Sequence, residues 1–407
     1  MVVLHGMMAA IVASNNGDEV VLVEKTSSLG NKLKITGKGR CNLTFFGDIE
    51  DFKKNVIRNS KFMYSSFSSF SNNDVIEFFN SLGVKTKVER GNRVFPVSDK
   101  ASDVVDALIR RLKKNNVKIL LNSSIKDLVI RDNKVKGVIL DNLVIDCDKC
   151  IIATGGNSYC KTGSQGDGYK IAQKHGINVT HISPGLVPLK SNDMICKELQ
   201  GLSLRNVGYK LIDETTNKEI YCDFGELLFA HFGITGPVVL SSSSVLNRID
   251  DLEKKLKAKK IVAIIDLKPA LSFETLDKRI CRDFEKYTNK EFKNSLNELL
   301  PKKIIPTIIR RSEIKEDKKV NQITKFERQN LVKCIKEIKI EISTLMPLDY
   351  AIITCGGIDV KEINPKTMEV KKIKGLFFAG EVLDIDGFTG GYNLQIAFST
   401  AVAAANN

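Results

Sequence analysis

Residues 375–395 have the residue types and spacing for contact with a planar, electron-rich ligand. An apolar run of strand length ends at Gly380, and the next residue, Glu381, can accept hydrogen bonds from sugar-like hydroxyls. The glycine pair that ends at Gly391 allows close approach of the backbone, and 392–403 is predicted to be a helix whose free N–H groups face the ligand. A reduced flavin carries negative charge on its pyrimidine side. The segment therefore predicts the flavin end of an FAD site.

The N-terminal residues are predicted to form a β-α-β unit, with a short strand at 2–4, a helix at 7–15 and a strand at 19–24. The second strand ends in Glu24. In dinucleotide-binding folds the acid in this position binds the adenosine ribose.

A further apolar strand is predicted at 146–154, and it runs into Gly155-Gly156, where backbone could again touch a cofactor. Cys147 and Cys150 form a C-x-x-C within it. Residues three apart on a strand point to opposite faces, so neither a dithiol nor a metal pair is predicted. The four histidines are widely spaced, and no metal site is predicted.

The remaining pattern predicts a discontinuous α/β fold. A Rossmann-like FAD-binding domain is expected over 1–185 and 350–407, and it is interrupted at 186–349 by a domain with an antiparallel β-barrel-like part and a small helical region. The other predicted helices lie at 74–82, at 102–114 and within 273–336, and the other predicted strands lie at 117–121, 128–140, 186–190, 204–213, 218–228, 338–342, 350–354 and 376–379.

Composition limits the class of protein. The chain has 407 residues with 43% hydrophobic content, which is enough to form hydrophobic cores. It has no apolar run of the ~20 residues that a membrane-spanning helix needs. Nine scattered cysteines and the lack of an N-terminal cation before the first apolar stretch favour a cytoplasmic protein with reduced thiols. The net charge of +14 lies in mixed-charge stretches typical of solvated faces, so a nucleic-acid partner is not expected. A small-molecule substrate is expected, without a membrane partner.

Several ordered motifs carry a family resemblance. They are the TGKGRCN stretch at 36–42, ATGG at 153–156, TGSQGDG at 162–168, GELLF at 225–229, FGITGP at 232–237 and the C-terminal segment. Together they resemble the aminoacetone-oxidase-like family of FAD-dependent oxidoreductases, which also includes flavoproteins described as bile-acid-type enone reductases.

The resemblance implies a set of cofactor contacts. In this assignment Glu24, Lys25 and the backbone of Ile125 contact the adenosine part of FAD. Residues near Glu381 contact its flavin part. The implied FAD-binding residues are Gly6, Glu24, Lys25, Lys38, Gly39, Arg40, Asn42, Ile125, Thr154, Gly155, Gly156, Gly380, Glu381, Gly391, Asn393 and Leu394.

One departure from the family pattern lies at the N-terminal turn. Family members have a strand followed by G-x-G-x-x-G, whereas this sequence retains only the last glycine, Gly6. The two missing glycines make the tight turn and admit the diphosphate. The sequence therefore predicts weaker FAD binding than in relatives.

The expected activity is hydride transfer between FAD and a small organic substrate, most simply the NAD(P)H-linked reduction of a conjugated carbonyl compound. The alternatives are an oxidase of a small amine or ketone, a flavin-linked RNA-modifying protein, and a non-catalytic remnant. No catalytic residue is identified. Cys41 is a weak candidate within the cofactor loop, and His231, Tyr159 and Tyr392 are candidates only because they lie near motifs.

Overall fold

The computed structural model describes residues 4–141 and 143–407. They divide into two compact units, one from Met1–Gly185 and Pro347–Asn407 and one from Leu186–Met346. None of the helices in the described part of the chain combines the length and the apolar character that spanning a bilayer requires.

Helices and strands are numbered in chain order. The α-helices are α1 Leu4–Asn15, α2 Asn31–Ile35, α3 Ile49–Asn55, α4 Tyr64–Ser69, α5 Asn72–Ser81, α6 Ala101–Lys114, α7 Asp167–Lys174, α8 Met194–Glu198, α9 Pro237–Leu246, α10 Leu252–Lys257, α11 Phe273–Lys286, α12 Ile305–Ser312, α13 Lys325–Lys336 and α14 Tyr392–Ala405.

The strands of the first unit are β1 Val21–Val23, β2 Thr44–Phe45, β3 Val56–Arg58, β4 Thr86–Glu89, β5 Arg93–Pro96, β6 Lys118–Leu120, β7 Ile125–Arg131, β8 Lys134–Leu140, β9 Val144–Asp146, β10 Cys150–Ile152, β11 Ser183–Gly185, β19 Ile353–Cys355, β20 Leu376–Phe378 and β21 Asp386–Gly387. The strands of the second unit are β12 Leu189–Lys190, β13 Ser203–Asp213, β14 Lys218–Ala230, β15 Gly233–Thr235, β16 Ile261–Asp266, β17 Ile338–Glu341 and β18 Thr344–Leu345.

Helices α1 and α14 form the centre of the first unit and pack against each other. Both are mainly apolar without a separate polar face, which is typical of largely buried helices. The prediction of a strand at 2–4 is wrong at Leu4, where α1 already begins, and residues 2 and 3 lie outside the described part of the chain. Leu4, Met7, Met8 and Ile11 are all buried and recur at helical spacing, so packing extends the helix toward the N-terminus.

Two parallel strand pairs flank these helices. β1 pairs with β6, and β10 pairs with β20. The predicted hairpin at 128–140 is confirmed as β7 and β8, and its turn residues Asp132 and Asn133 both have positive φ, as a tight hairpin turn requires. The strand predicted at 146–154 is shorter than expected, because Cys147 lies between β9 and β10.

The second unit contains a seven-stranded antiparallel sheet in the order β17-β16-β13-β14-β15-β12-β18. The predicted antiparallel character is therefore confirmed. Among the described residues the pairing order is open, without hydrogen-bonded closure into a barrel. The helices predicted within 273–336 are α11 to α13, and Pro306 lies in the first turn of α12, where proline is tolerated.

Candidate cofactor site

A buried ion pair joins distant parts of the first unit. Lys32 of α2 donates from Nζ to Glu381 Oε2 at 2.6 Å and to Ser158 Oγ at 2.8 Å. The carboxylate of Glu381 also accepts from the Thr354 backbone N–H at 2.9 Å and from Ser158 Oγ at 3.1 Å. The side chains of Lys32 and Glu381 are only 9% and 17% exposed. The Glu381 carboxylate is therefore held by donors from within the protein.

The charge state of Glu381 follows from these contacts. Burial raises the pKa of the Glu381 carboxyl, but the charge and hydrogen bond of Lys32 outweigh burial, so the pKa lies below its ordinary value. The carboxylate is ionised at neutral pH. The sequence indicated Glu381 but gave no signal for Lys32, which lies 349 residues away, or for Ser158 and Thr354.

His5 fills the space beside Gly380. A Cβ placed on Gly380 would lie 2.5 Å from the His5 ring, so this glycine is required by the histidine in its present position. The residue is 1% exposed, and a hydrogen bond with the Ala153 backbone favours its charged form without offsetting burial. Burial lowers the pKa of His5 to about 3, so its imidazole is neutral. A neutral, buried ring lies in the first turn of α1, the position where a dinucleotide fold receives the diphosphate.

The start of α14 lies against the segment that leads into β2. Gly391 has φ of 104°, and a Cβ there would lie 2.4 Å from the backbone carbonyl of Thr44. The Thr44 hydroxyl donates to Gln395 Oε1 at 2.6 Å and holds the two elements together. Asn42, two residues earlier, has a buried Oδ1 without a partner among the described residues.

Donors remain free at this helix start. The backbone N–H groups of Tyr392, Asn393 and Leu394 donate to no group in the described part of the chain, and the first turn of α14 has no acidic residue. The Asn393 side chain is used locally, since it bonds the backbone of Gly387 at 2.9 and 2.8 Å. Leu394 is half-buried.

The loop at 36–42 adopts left-handed backbone conformations at Gly37, Lys38 and Gly39, with φ of 56°, 59° and 84°. Lys38 is exposed. The Arg40 side chain is bound by acidic side chains of the protein. Its guanidinium pairs with Glu89 and with Asp99 and lies 4.2 Å from the centre of the Phe95 ring.

Two carboxylates therefore neutralise Arg40. Arg40 stays a predicted cofactor contact, and a phosphate would have to compete with both acids for its guanidinium. The sequence could not show this, since Glu89 and Asp99 follow Arg40 by 49 and 59 residues.

Of the residues assigned to the adenosine end of FAD, Lys25 and Ile125 line a cavity of about 730 Å³, and Gly6 and Thr154 line the same cavity. Lys25 Nζ is paired with Asp167 at 2.5 Å. Glu24 is buried, and its Oε1 accepts from the N–H and the hydroxyl of Thr26, both at 2.7 Å.

The remaining predicted contacts are the glycines after β10. Gly155 has φ of 71°, a conformation that favours glycine. A Cβ on Gly156 would lie 2.3 Å from Thr354 Oγ1, so internal packing already requires that glycine.

The candidate catalytic residues lie in different environments. Cys41 is fully buried, and burial raises the pKa of its thiol to about 12, which opposes thiolate chemistry. Tyr159 and Tyr392 are half-buried, and burial raises the pKa of each, so both stay protonated. His231 is exposed and lies in the second unit. Within the described residues no group of His, Cys, Asp or Glu is arranged to hold a metal, and all nine cysteines are free.

The described residues at the start of α14 suit a flavin ring better than those at the start of α1 suit a diphosphate. At the start of α14, free N–H donors and the unpartnered Asn42 Oδ1 suit the polar edge of a flavin ring. At the start of α1, His5 occupies the space beside Gly380, and the described residues provide no glycine-rich turn for a diphosphate.

A sequence profile described as the HI0933-like protein Rossmann domain matches residues 4–407. The chain therefore belongs to the HI0933-like Rossmann-domain family, a family of FAD-dependent oxidoreductases. The predicted Rossmann-type fold, oxidoreductase class and FAD link are confirmed at this level.

Relatives match over nearly their whole length. The ribosomal RNA dihydrouridine synthase of Escherichia coli (strain K12) is 30% identical over 402 residues, 99% of this chain and 95% of that protein. The 3-dehydro-bile acid delta(4,6)-reductase of Clostridium scindens is 29% identical over 412 residues, 98% of this chain and 95% of that protein. The resemblance to bile-acid reductases is thus confirmed, and the aminoacetone-oxidase assignment stays a prediction.

Among solved structures, 3-ketosteroid delta1-dehydrogenase from Sterolibacterium denitrificans has a TM-score of 0.51 at 12% identity, covering 99% of this chain and 97% of that one. This likeness concerns the fold alone.

Proposed function

We propose that this chain is an FAD-dependent reductase of carbon–carbon double bonds conjugated to a carbonyl group, with NAD(P)H as electron donor. The names of two relatives support this reaction class. Dihydrouridine forms by hydrogen addition to the uracil double bond next to a ring carbonyl, and a delta(4,6)-reductase acts on double bonds conjugated to the 3-carbonyl of a 3-dehydro acid. In the reaction proposed for this chain, NAD(P)H supplies a hydride and becomes NAD(P)⁺, one proton is taken up, and the double bond gains two hydrogens.

The observation that carries the proposal is the start of α14. When bound, FAD supplies hydride transfer between donor and substrate. The three free backbone N–H groups would donate to the electron-rich edge of the ring, and Asn42 Oδ1 would accept from a donor on it. Glu381, kept ionised by Lys32, would accept from a hydroxyl of the cofactor chain. Tyr159 and Tyr392, both protonated, are the candidate donors of the proton that completes the reduction.

Uridine in ribosomal RNA is a second candidate substrate. The composition shows no aromatic-interleaved basic stripe, which argues against a nucleic-acid partner. The net charge of +14 and two relatives named ribosomal RNA dihydrouridine synthase, from E. coli and Haemophilus influenzae, favour such a partner. RNA is therefore retained as a substrate to test.

Flavin uptake is the first experiment. Purified chain is incubated with excess FAD, desalted and measured by flavin absorbance, with FAD titration giving the Kd. We expect binding that is weaker than in the E. coli relative, because His5 fills the first turn of α1. Stoichiometric FAD that survives desalting as well as it does in that relative would contradict this expectation.

Activity is then measured at saturating FAD. The chain is reduced anaerobically with NADPH and mixed with a ribosomal RNA transcript or with a 3-oxo-Δ4,6 steroid acid. Mass spectrometry shows whether either substrate gains two hydrogens. Reduced chain that converts neither substrate but forms peroxide rapidly in air would overturn the reductase proposal and favour an oxidase.

A further inference from the structure

A second cavity, of about 410 Å³, lies at one edge of the sheet of the second unit. Residues of the edge strand β17, of α8 and of α12 line it, and all of its lining residues lie inside that unit. We call it the edge cavity. Its volume lies within the ~300–1,000 Å³ that is typical of small-molecule sites. The edge cavity therefore has room for a small ligand.

Helix α12 supplies cations to the edge cavity. Thr307, Arg310 and Arg311 are three and four residues apart and lie on one face of this helix. The Arg310 guanidinium pairs with Glu198, whose Oε2 also accepts from the Thr307 hydroxyl at 3.3 Å. Arg311 is half-buried, and its side chain forms neither an ion pair nor a hydrogen bond with any described residue. A guanidinium has five N–H donors, so Arg311 brings an unused cationic fork to the cavity.

An acidic group lies beside the sheet edge. Asp193 is half-buried, and its Oδ2 accepts from the Glu341 N–H at 2.8 Å. The Ile342 N–H bonds to the Ile261 carbonyl, so the alternate residues Lys339 and Glu341 turn their backbone groups away from β16. The Glu341 carbonyl thus points to the same side as the N–H that Asp193 binds. A carboxylate and a carbonyl at this edge are suitable acceptors for an ammonium group.

The other charged residues of the edge cavity already have partners of opposite charge. Lys339 Nζ lies 3.4 Å from Glu214 Oε1. Glu341 Oε2 lies 3.2 Å from Lys259 Nζ. Together with the pairing of Arg310, these contacts leave one cation and one anion of the lining without an oppositely charged partner among the described residues.

These two groups are Arg311 and Asp193, and they do not form an ion pair with each other across the cavity. A simple anion would match only Arg311, and a simple cation would match only Asp193. A molecule that carries both charges matches both. The lining also contains the apolar side chains of Met194, Ile195 and Val262, which suit a methylene chain between the two charges.

We propose that the edge cavity binds a small aliphatic zwitterion, in which a methylene chain separates a carboxylate from an ammonium group. Arg311 binds the carboxylate, and Asp193 and the Glu341 carbonyl bind the ammonium group. The site lies entirely within the second unit, and the inference is independent of the proposed reductase activity.

Binding is tested first with the unmodified 407-residue chain. Ligand-detected NMR titrations give the Kd for ε-aminocaproate and for the shorter γ-aminobutyrate, and for the single-charge analogues caproate and n-pentylamine. We expect at least one zwitterion to bind saturably and about tenfold more tightly than either analogue, because it makes both charged contacts. Binding of neither zwitterion would overturn the proposal. Equal affinity for caproate or for pentylamine would also overturn it, since one charge would then suffice.

Two substitutions locate the site. Arg311→Gln and Asp193→Asn should each weaken binding of the zwitterion about tenfold or more, and an asparagine can still accept from the Glu341 N–H. The matched control is Arg282→Gln, which removes an exposed arginine of α11 that does not line the cavity and should leave the Kd unchanged. Urea melts check that each variant folds. A folded Arg311→Gln or Asp193→Asn chain that binds as tightly as the unmodified chain would contradict the assignment, and the comparison of ligands on the unmodified chain is decisive if a substitution prevents folding.

Discussion

Replacing Lys32 with methionine tests whether the buried pair with Glu381 organises the cofactor site. The substitution keeps most of the side-chain volume but removes the charge that compensates a carboxylate only 17% exposed. Removing one partner of a buried pair costs about 3–5 kcal/mol. Because Ser158 and Thr354 still donate to Glu381, we expect the lower end, about 3 kcal/mol, or about 6–12 °C in Tm for a unit of this size.

The loss should depend on pH. In the unmodified chain the pKa of Glu381 is held below its unfolded value, so its stabilisation is present above about pH 4.3 and is lost as pH falls through the folded pKa. In Lys32→Met the charge of Lys32 no longer lowers the pKa of Glu381, whereas burial still raises it. The pKa of Glu381 therefore rises, and the carboxyl becomes protonated at higher pH. The difference in unfolding free energy between the two chains should therefore be largest near pH 7 and shrink toward pH 4.

Urea denaturation at pH 4.5, 5.5 and 7, followed by a probe in the first unit, measures this difference. The matched control is Glu381→Gln in both backgrounds, because a neutral amide should remove most of the penalty caused by Lys32→Met. A Lys32→Met chain within about 0.5 kcal/mol of the unmodified chain at pH 7, or a loss that does not vary with pH, would refute the reasoning.

Three further outcomes follow from single residues. Cys41 should stay unmodified by a maleimide at pH 8 while exposed Cys222 reacts, since burial raises the pKa of Cys41 to about 12; rapid peptide-mapped labelling of Cys41 would contradict this. Gly391→Ala should lose about 2–5 kcal/mol in urea melts, because φ is 104° and the new Cβ would lie 2.4 Å from Thr44. Asn42→Ala should weaken FAD binding about tenfold in absorbance titration while the urea midpoint changes little; unchanged affinity would exclude Asn42 as a cofactor contact.

Elements dominated by local signals could be predicted from sequence. The hairpin of β7 and β8 has alternating apolar residues around two turn formers, and α14 has a long apolar run after a glycine pair. α1 was predicted to begin three residues too late. Its first residue, Leu4, continues a helical spacing that the β-like residues before it obscured.

The chemistry of the site was less predictable because it depends on contacts far apart in sequence. Nothing near Lys32 shows that it meets Glu381, and nothing near Gly380 shows that His5 lies against it. Glycine patterns were ambiguous for a physical reason. A glycine beside a ligand and a glycine beside another backbone look the same in sequence, and Gly156 and Gly391 both prove to be required by internal packing.

The pair of Lys32 and Glu381 also has a consequence for synthesis. Its partners are 349 residues apart, so at ~5–20 residues per second about 17–70 s pass between their translation. The second unit, Leu186–Met346, is continuous in sequence and can be complete while the first still lacks β20 and α14. During that interval Glu381 has not yet been synthesised, so Lys32 lacks its partner carboxylate. The cofactor site is therefore assembled last, and a nascent chain stalled before residue 381 should remain sensitive to proteases around α2.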